Sequence, residues 1–349
     1  MGEVRVLGRA DDALFTEFIE SQPNATVYHT TEWRDTLLST YGYEPLYLAH
    51  MEGGVIKGVL PMMYLKSWLT GKRLVSLPFS NACGPAGRAE STEPLIERAF
   101  EIYRERGAST MEIRTRADLV GIDDDRFSSQ SYFVTSLLDL YSDPDIVWTH
   151  FKDRHIRREV RQALKKGIEV RRGESVEDLE LFYNLFVPTR LKHGVPPTPF
   201  KFFRNLWDKM RPRRLTLFLA THGDLTVGAL ITLSFGKTLV AAYIGSDIEF
   251  RSYRVHQILC WKAIEMGCLE GFEKFDWLRT PRNAESLRYY KERWNSYEVD
   301  LNYLYYPEVR GTAGTVEESA RYRLMTSVVK RTPDFVGKTA GRLIYKHLG

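Results

Sequence analysis

One stretch of the chain, residues 276–295, concentrates side chains that could do chemistry: DWLRTPRNAESLRYYKERWN. It leaves an apolar strand at Asp276, crosses a polar loop that contains Pro281, and ends in a dense aromatic and basic cluster. Loops held by a rigid scaffold often carry binding and catalytic groups. The sequence has no GxSxG elbow, P-loop or GxGxxG turn, so the usual signatures of hydrolases, nucleoside triphosphatases and dinucleotide enzymes are missing.

Basic residues elsewhere in the chain, as well as one within this stretch, are further binding candidates. Arg190 and Arg279 carry planar guanidinium groups that could hold a phosphate or carboxylate through two hydrogen bonds, or could form salt bridges between domains. Residues 153–166, DRHIRREVRQALKK, predict a strongly basic helix closed by Gly167. Charge repulsion along this helix favours an anionic neighbour such as RNA, and a solvated surface is the alternative.

The composition is that of a globular protein with two cores. The chain has 349 residues, of which 43% are hydrophobic and 27% charged, with a formal net charge of +4. Its three cysteines show no metal-ligand spacing, so we expect neither a metal site nor a disulfide. The start lacks the pattern of a signal peptide and no apolar run is long enough to span a bilayer, which predicts a cytoplasmic protein.

The elements that would position these groups are predicted to occur twice. Residues 46–60 and 217–230 each indicate a β-hairpin, and each hairpin is followed by further strand, a helix and a strand. The start of that last strand, Gly107 to Glu112, matches Gly271 to Asp276 in the second copy. We therefore predict a duplicated α/β unit, with domains at residues 1–150 and 151–310 and a basic amphipathic tail at 311–349.

These residues carry a resemblance to a known family. Its members end their second unit with a pattern like D-F-G-R-S, a short loop, then F-K-x-x-W-G. The residues that match this pattern here are Asp276, Arg279, Thr280, Tyr290, Lys291 and Trp294. The chain departs from it at Leu278 and Asn295, where the family usually has glycine. The chain resembles the Fem-like (FemAB/FemX) family of peptidoglycan bridge-forming aminoacyltransferases, which implies an α/β fold of two tandem GNAT-like domains, each a mixed, mostly antiparallel sheet with packed helices.

The resemblance also implies roles for individual residues. Lys291 would meet the acyl carbonyl, where its ammonium stabilises the developing oxyanion, and a surface lysine is the alternative. Asp276 would orient Lys291 or Arg279, or accept a proton from the incoming amine, or simply bond the local backbone. Arg279, Thr280, Tyr290 and Arg190 are the further binding candidates. The helix around Trp33 and Arg34 corresponds to the acceptor site of related enzymes, although Trp33 could equally be core.

The donor is expected to be aminoacyl-tRNA or acyl-CoA, with no other cofactor. Ordinary GNAT enzymes hold the pyrophosphate of acyl-CoA on a turn of pattern R/Q-x-x-G-x-G/A, and residues 251–256 lack both glycines. This favours aminoacyl-tRNA over acyl-CoA. The acceptor would be an amine on a small-molecule or lipid-linked cell-envelope precursor, with the tail touching the membrane surface. A non-catalytic module that binds a glycan or peptide on the same fold is the remaining alternative.

Overall fold

The chain forms two compact units in the structure, a computed structural model that describes residues 2–68, 70–119, 121–308 and 345–347. Among these residues, the first unit comprises those within 2–134, 299–308 and 346–347, and the second comprises those within 135–298 together with residue 345. The units therefore part near residue 134 where the sequence predicted 150, and residues 299–308 return to the first unit. The predicted tail at 311–349 lies outside the described residues, apart from 345–347.

The first unit is built from strands and helices in alternation. Its elements in chain order are β1 (Glu3–Leu7), α1 (Asp12–Glu20), α2 (Thr31–Tyr41), β2 (Glu44–Glu52), β3 (Val55–Ser67), β4 (Gly71–Val75), β5 (Ala86–Gly87), α3 (Thr92–Glu105), β6 (Thr110–Arg116) and β7 (Ser128–Asp139). The side chain of Thr30 caps α2 by accepting from the backbone N–H of Trp33, and Gly42 ends that helix at a φ of +73°.

The second unit begins in the second half of β7 and repeats the alternation. Its further elements are α4 (Pro144–His150), α5 (Arg154–Lys165), β8 (Ile168–Gly173), α6 (Val176–Lys192), α7 (Phe200–Met210), β9 (Leu215–His222), β10 (Leu225–Phe235), β11 (Thr238–Ser246), α8 (Val255–Leu269), β12 (Lys274–Pro281) and α9 (Glu285–Glu292). The last strand, β13 (Tyr297–Tyr306), pairs with β6 of the first unit. No described helix is long and apolar enough to cross a membrane.

The two units share one connectivity. Within the first unit the strand order includes β1-β2-β3-β4-β6-β13, and within the second it includes β12-β11-β10-β9-β8. Hairpins make the pairs β2/β3 and β9/β10 antiparallel, whereas a helix joins β4 to β6 and β11 to β12, which makes these pairs parallel. The predicted mixed, mostly antiparallel α/β fold and its duplication are confirmed.

The matching positions of the two copies are visible in the register. In the first unit the parallel pairing ends with Val75 opposite Glu112, and in the second it ends with Val240 opposite Asp276. Each parallel ladder spans only three residue pairs, although β11 runs on to Ser246 and β12 to Pro281. Glu112 and Asp276 are therefore structural counterparts, as the sequence predicted, and each stands where two parallel strands stop pairing.

Helices cover both faces of the second unit's sheet. Helix α8 is apolar nearly all round and lies in the main core of this unit, as expected for a fully buried helix. On the other face α6 approaches β11 so closely that a Cβ on Gly245 would lie 2.6 Å from the backbone nitrogen of Phe186. That close approach fixes α6 against the end of β11, beside the site described below.

Candidate functional site

Lys291, the first catalytic candidate, is buried in the second unit with 5% of its surface exposed. Its Nζ donates to the carbonyl oxygens of Trp277 at 2.9 Å and Leu278 at 2.7 Å, and to the hydroxyl of Thr280 at 2.6 Å. An ammonium group has three donors, so all three are used. Lys291 and Thr280, predicted from one short motif, are thus brought together at the end of β12.

Burial sets the acidity of this lysine. Desolvation lowers the pKa of Lys291 from 10.5 to about 8, and the nearby carboxylates of Asp276 and Glu298 oppose that shift. A group with a pKa near working pH can exchange protons without a large energetic penalty. The lysine is therefore a cation at neutral pH that can become neutral at mildly alkaline pH.

Asp276 organises the strand end beside Lys291. Its Oδ1 accepts from the hydroxyl of Thr135 at 2.6 Å and from the backbone N–H of Leu278 at 2.8 Å. Leu278 has a φ of +63°, in the left-handed region that glycine adopts at lower cost. The family's glycine is missing from the sequence at this position, but its backbone conformation is present. Thr135 is a contributor that the sequence did not indicate, because it lies 141 residues from Asp276.

A cavity of about 940 Å³ opens on one side of α9, and we call it the basic cavity. It lies between the C-terminal half of α6, the turn after β11, the first turn of α8, and Leu287 and Tyr290 of α9. Three of its cationic side chains are Lys192, Arg251 and Arg254, against the single carboxylate of Asp247. Its charge suits an anionic ligand, and Tyr290 connects it to the segment that carries Lys291.

The entrance of α8 keeps a conformation typical of glycine without a glycine. Arg254 precedes the helix with a φ of +61°, at the first glycine position of the R/Q-x-x-G-x-G/A pattern. Its guanidinium lies 3.7 Å from the carboxylate of Glu159. The turn thus adopts the left-handed backbone at that position, while the side chains of Arg254 and His256 occupy space that glycines would leave open.

Tyr290 and His256 form a partly buried pair in the wall of the basic cavity. The hydroxyl of Tyr290 lies 2.9 Å from Nδ1 of His256, and the thiol of Cys260, one helical turn on, lies 3.7 Å from the same nitrogen. Burial lowers the pKa of His256 to about 4, so the imidazole is neutral at physiological pH. Burial also raises the pKa of Tyr290 well above its usual value, which keeps the phenol protonated.

A second cavity of about 470 Å³ lies on another face of α9, and we call it the acidic cavity. Its helical wall consists of Glu285, Arg288, Tyr289 and Glu292, which share one face because of their i, i+3, i+4 and i+7 spacing. The remaining lining residues are Ser136, Ser296, Tyr297 and Glu298. The sequence did not indicate this cavity, because Ser136 lies far upstream of the other lining residues in the chain.

The other predicted site residues in the second unit have different surroundings. Arg279 is exposed on β12. Arg190 lies half-buried in α6, with its guanidinium 5.9 Å from the ring centre of Phe186, and its buried Nε has no hydrogen-bond partner within the described residues. Neither arginine lines the basic cavity. Their substrate-binding roles stay predictions.

Trp33 and Arg34 belong to α2 of the first unit. Trp33 is fully buried and packs edge-on against Tyr28. The guanidinium of Arg34 donates to both carboxylate oxygens of Asp12, at 2.6 and 2.7 Å, and to Asp35 at 2.9 Å. Both side chains therefore hold α2 in place in this conformation, and their predicted contact with an acceptor stays a prediction.

This arrangement defines a class of protein. Two repeated units, each with a short parallel ladder that ends beside a long helix, are the plan of a tandem GNAT-type acyltransferase fold. Residues 151–292 match the family described as acetyltransferase (GNAT) domain, and this range holds Lys291, Asp276 and most of the basic cavity's wall.

More particularly, the chain is similar to Fem-type proteins. It is 22% identical over 111 residues to the UDP-N-acetylmuramoylpentapeptide-lysine N(6)-alanyltransferase of Weissella viridescens, covering 32% of this chain and 33% of that protein. The chain thus matches about a third of the length of that relative. The structure superposes on FemX with a TM-score of 0.69 and 16% identity, over 86% of this chain and 96% of that one. The predicted resemblance to the FemAB-like branch of the GNAT superfamily is confirmed.

A second solved structure shares the fold. It is the C-terminal domain of a putative lysylphosphatidylglycerol synthetase from Agrobacterium fabrum, with a TM-score of 0.59 and 12% identity, over 92% of this chain and 96% of that one. At this level of identity the likeness concerns the fold.

Proposed function

We propose that this protein transfers an aminoacyl or acyl group to an amine of a cell-envelope precursor. The observation that carries the proposal is the position of Lys291, a buried cation on a helix whose neighbouring residue Tyr290 lines a large basic cavity. An anionic donor in that cavity would bring its reactive ester towards the lysine. The name of the alanyltransferase relative, which specifies a lysine N6 amine as acceptor, supports an amine acceptor here.

The chemistry needs no covalent enzyme intermediate. The neutral amine nitrogen attacks the ester carbonyl carbon, the ester carbon–oxygen bond breaks, and the leaving oxygen takes up the proton that the nitrogen gives up and becomes a hydroxyl. Lys291 would donate to the carbonyl oxygen as it gains negative charge, where a positioned cation contributes most. Of its three partners, only the hydroxyl of Thr280 belongs to a side chain, so this contact is the one that could be exchanged for the substrate oxygen.

Charged tRNA is the donor that the site favours over acyl-CoA. The side chains of Arg254 and His256 occupy the turn where the acyl-CoA pyrophosphate would need glycines. The exposed face of α5 adds Arg154, Arg158 and Arg161 in the same unit. A lipid-linked acceptor and peripheral contact with the inner membrane surface belong to the same proposal.

The test is a transfer assay with two donor arms. Purified protein is incubated with a lysine-containing, UDP-linked muramoyl pentapeptide and either total tRNA charged with labelled amino acids or a panel of labelled acyl-CoA molecules. We expect label on the acceptor amine in the tRNA arm only, and its loss after ribonuclease. The matched control is the Lys291→Met variant in the same arms.

Each other result decides against part of the proposal. Ribonuclease-resistant transfer from acyl-CoA would keep the acyltransferase and replace the donor. No transfer in either arm, together with tight binding of the pentapeptide or its glycan, would show that the fold serves as a binding module.

A further inference from the structure

The acidic cavity differs in chemistry from the basic cavity on the other side of α9. Three carboxylates line it, from Glu285, Glu292 and Glu298, against one guanidinium, from Arg288. Arg288 holds Glu298 with two hydrogen bonds of 2.8 and 2.6 Å, which leaves two carboxylates uncompensated within the lining. The charge of the cavity therefore attracts a cation.

These two carboxylates are accessible. Glu285 is exposed and forms no salt bridge within the described residues. Glu292 pairs with Lys152, but both side chains of that pair are about half exposed, and such surface pairs exchange readily with other ions. The rings of Tyr289 and Tyr297, which are 62% and 42% exposed, offer faces on which a cation could also rest.

Ser136 points independently to a ligand. It lines the acidic cavity with only 1% of its surface exposed, and its buried hydroxyl has no hydrogen-bond partner among the residues that the structure describes. Its neighbour Thr135 faces the other side of β7, where it donates to Asp276. Buried hydroxyls in folded proteins are nearly always paired, so an unpaired one in a cavity wall indicates a polar occupant.

Resting on the proposed amine acylation, we propose that the acidic cavity binds the primary ammonium group of the acceptor before it releases one proton to water and attacks as the neutral amine. The carboxylates of Glu285 and Glu292 and the hydroxyl of Ser136 supply acceptors for its three N–H donors. The two cavities then sort the substrates by charge, with the anionic donor on the Tyr290 side of α9 and the cationic acceptor on the Tyr289 side. Lys291, buried on the same helix, lies between these two faces.

The binding test uses a minimal probe. Nα-acetyl-lysine methylamide, which has one free primary amine, is titrated against the protein by ligand-observed NMR, beside its Nε-acetylated counterpart, which has none. We expect binding of the first and not of the second. Glu285→Gln and Ser136→Ala should each weaken binding roughly threefold to tenfold, as expected for one lost charge-assisted or neutral hydrogen bond.

A variant that is expected to tighten binding of the probe distinguishes a specific effect on the site from loss of binding through misfolding. Lys152→Met removes the cation that competes for Glu292 and should tighten binding of the probe. Glu273→Gln is the matched control, because its carboxylate is 67% exposed next to Lys237 and lies outside the acidic cavity. It should leave binding unchanged.

Transfer kinetics separate this site from the proposed reaction. In a working assay, Glu285→Gln and Glu292→Gln should raise the KM for the acceptor several-fold and leave the KM for the donor unchanged. Equal binding of the two probes, an unchanged acceptor KM, or a changed donor KM would overturn the site. Absence of transfer in the wild type, with probe binding still dependent on Glu285, would overturn the reaction and leave the ammonium site standing.

Discussion

Lys291 hydrogen-bonds the carbonyl oxygen of Leu278 at 2.7 Å, and Leu278 is the residue that holds a φ of +63° at the end of β12. A left-handed conformation costs a leucine on the order of 1 kcal/mol relative to its preferred backbone, so neighbouring contacts must hold it. The lysine holds the carbonyl of this residue and Asp276 accepts from its N–H. The catalytic candidates thus also shape the strand end on which they stand.

The first prediction follows from this double role. Replacement of Lys291 by Met should lower kcat about 100-fold, the usual effect of removing one oxyanion donor. It should also lower the free energy of unfolding by about 1–3 kcal/mol, because two carbonyl oxygens lose their donor. Turnover and urea unfolding measure the two effects.

Thr280→Val provides the comparison for Lys291→Met. It removes the one side-chain partner of Nζ and keeps both the cation and its carbonyl contacts. Turnover should fall less than in Lys291→Met. Full activity in Lys291→Met, at whatever stability, would show that the lysine has only a structural role.

The second prediction concerns alkaline pH. The pKa of Lys291 is about 8 in the folded protein and 10.5 as the ordinary value, so between these limits the unfolded state binds more protons. Stability should therefore rise with pH across this window, by about 3 kcal/mol in total from this group. Urea unfolding should show that the difference in free energy of unfolding between wild type and Lys291→Met is larger at pH 10 than at pH 7.5. A constant difference would mean that the lysine is not buried.

Much of the fold could be predicted from local patterns. The two hairpins and the match of Glu112 with Asp276 follow from turn residues and from the alternation of apolar and polar residues, and both are present in the fold. The return of β13 to the first unit was not predictable, because β13 follows α9 in sequence but pairs with β6. The composition of a strand does not indicate that it will pair with another strand about 190 residues away.

The site could be predicted only where its members are close in sequence. Thr280 and Lys291 lie 11 residues apart and their contact follows from one motif. Thr135 and Ser136 could not be found, because strand register across the sheet decides which residues of β7 meet Asp276 or the acidic cavity. The burial of Arg34 could not be predicted either, because its ion-pair partner Asp12 lies 22 residues upstream in another helix.

The third prediction concerns His256. Because burial holds its pKa near 4, the imidazole should stay neutral from pH 8 to pH 5, where an ordinary histidine titrates near 6.5. Because only the unfolded state binds a proton in this range, the free energy of unfolding should fall as the pH drops below 6.5, by about 2 kcal/mol at pH 5 from this residue. His29, with a pKa also lowered to about 4 by burial, should add a similar loss.

Nitrogen-15 NMR of labelled histidine tests this behaviour, with assignment by His256→Phe. That variant should lose about half of the acid sensitivity and keep the part due to His29. Tyr290→Phe, which removes the hydroxyl 2.9 Å from Nδ1, should change the tautomer of His256 without unfolding α9. A normal titration of His256 near pH 6.5 would contradict its burial.

The fourth prediction separates structure from binding at Arg34. Arg34 is 5% exposed and its guanidinium holds Asp12 and Asp35, so Arg34→Leu should lower the free energy of unfolding by about 3 kcal/mol. Asp12→Asn should cost less, because that carboxylate is partly exposed. If acceptor KM rises in Arg34→Leu but stability does not change, the predicted acceptor contact replaces the structural role.

The fifth prediction tests the basic helix α5 as the surface for charged tRNA. Arg154, Arg158 and Arg161 are exposed, whereas Arg157 donates to the carbonyl oxygens of Trp148 and Thr149 and so belongs to the fold. Reversing the three exposed arginines to Glu should weaken tRNA binding and flatten its dependence on salt, because fewer counterions are released from the RNA.

Reversal of Lys201, Arg204 and Lys209 on α7 changes the net charge equally and is the control. Binding measured by filter retention from 50 to 300 mM salt distinguishes the two triple variants. Equal weakening by both would mean that net charge alone attracts RNA, and no weakening by either would place the tRNA on another surface or remove it from the reaction.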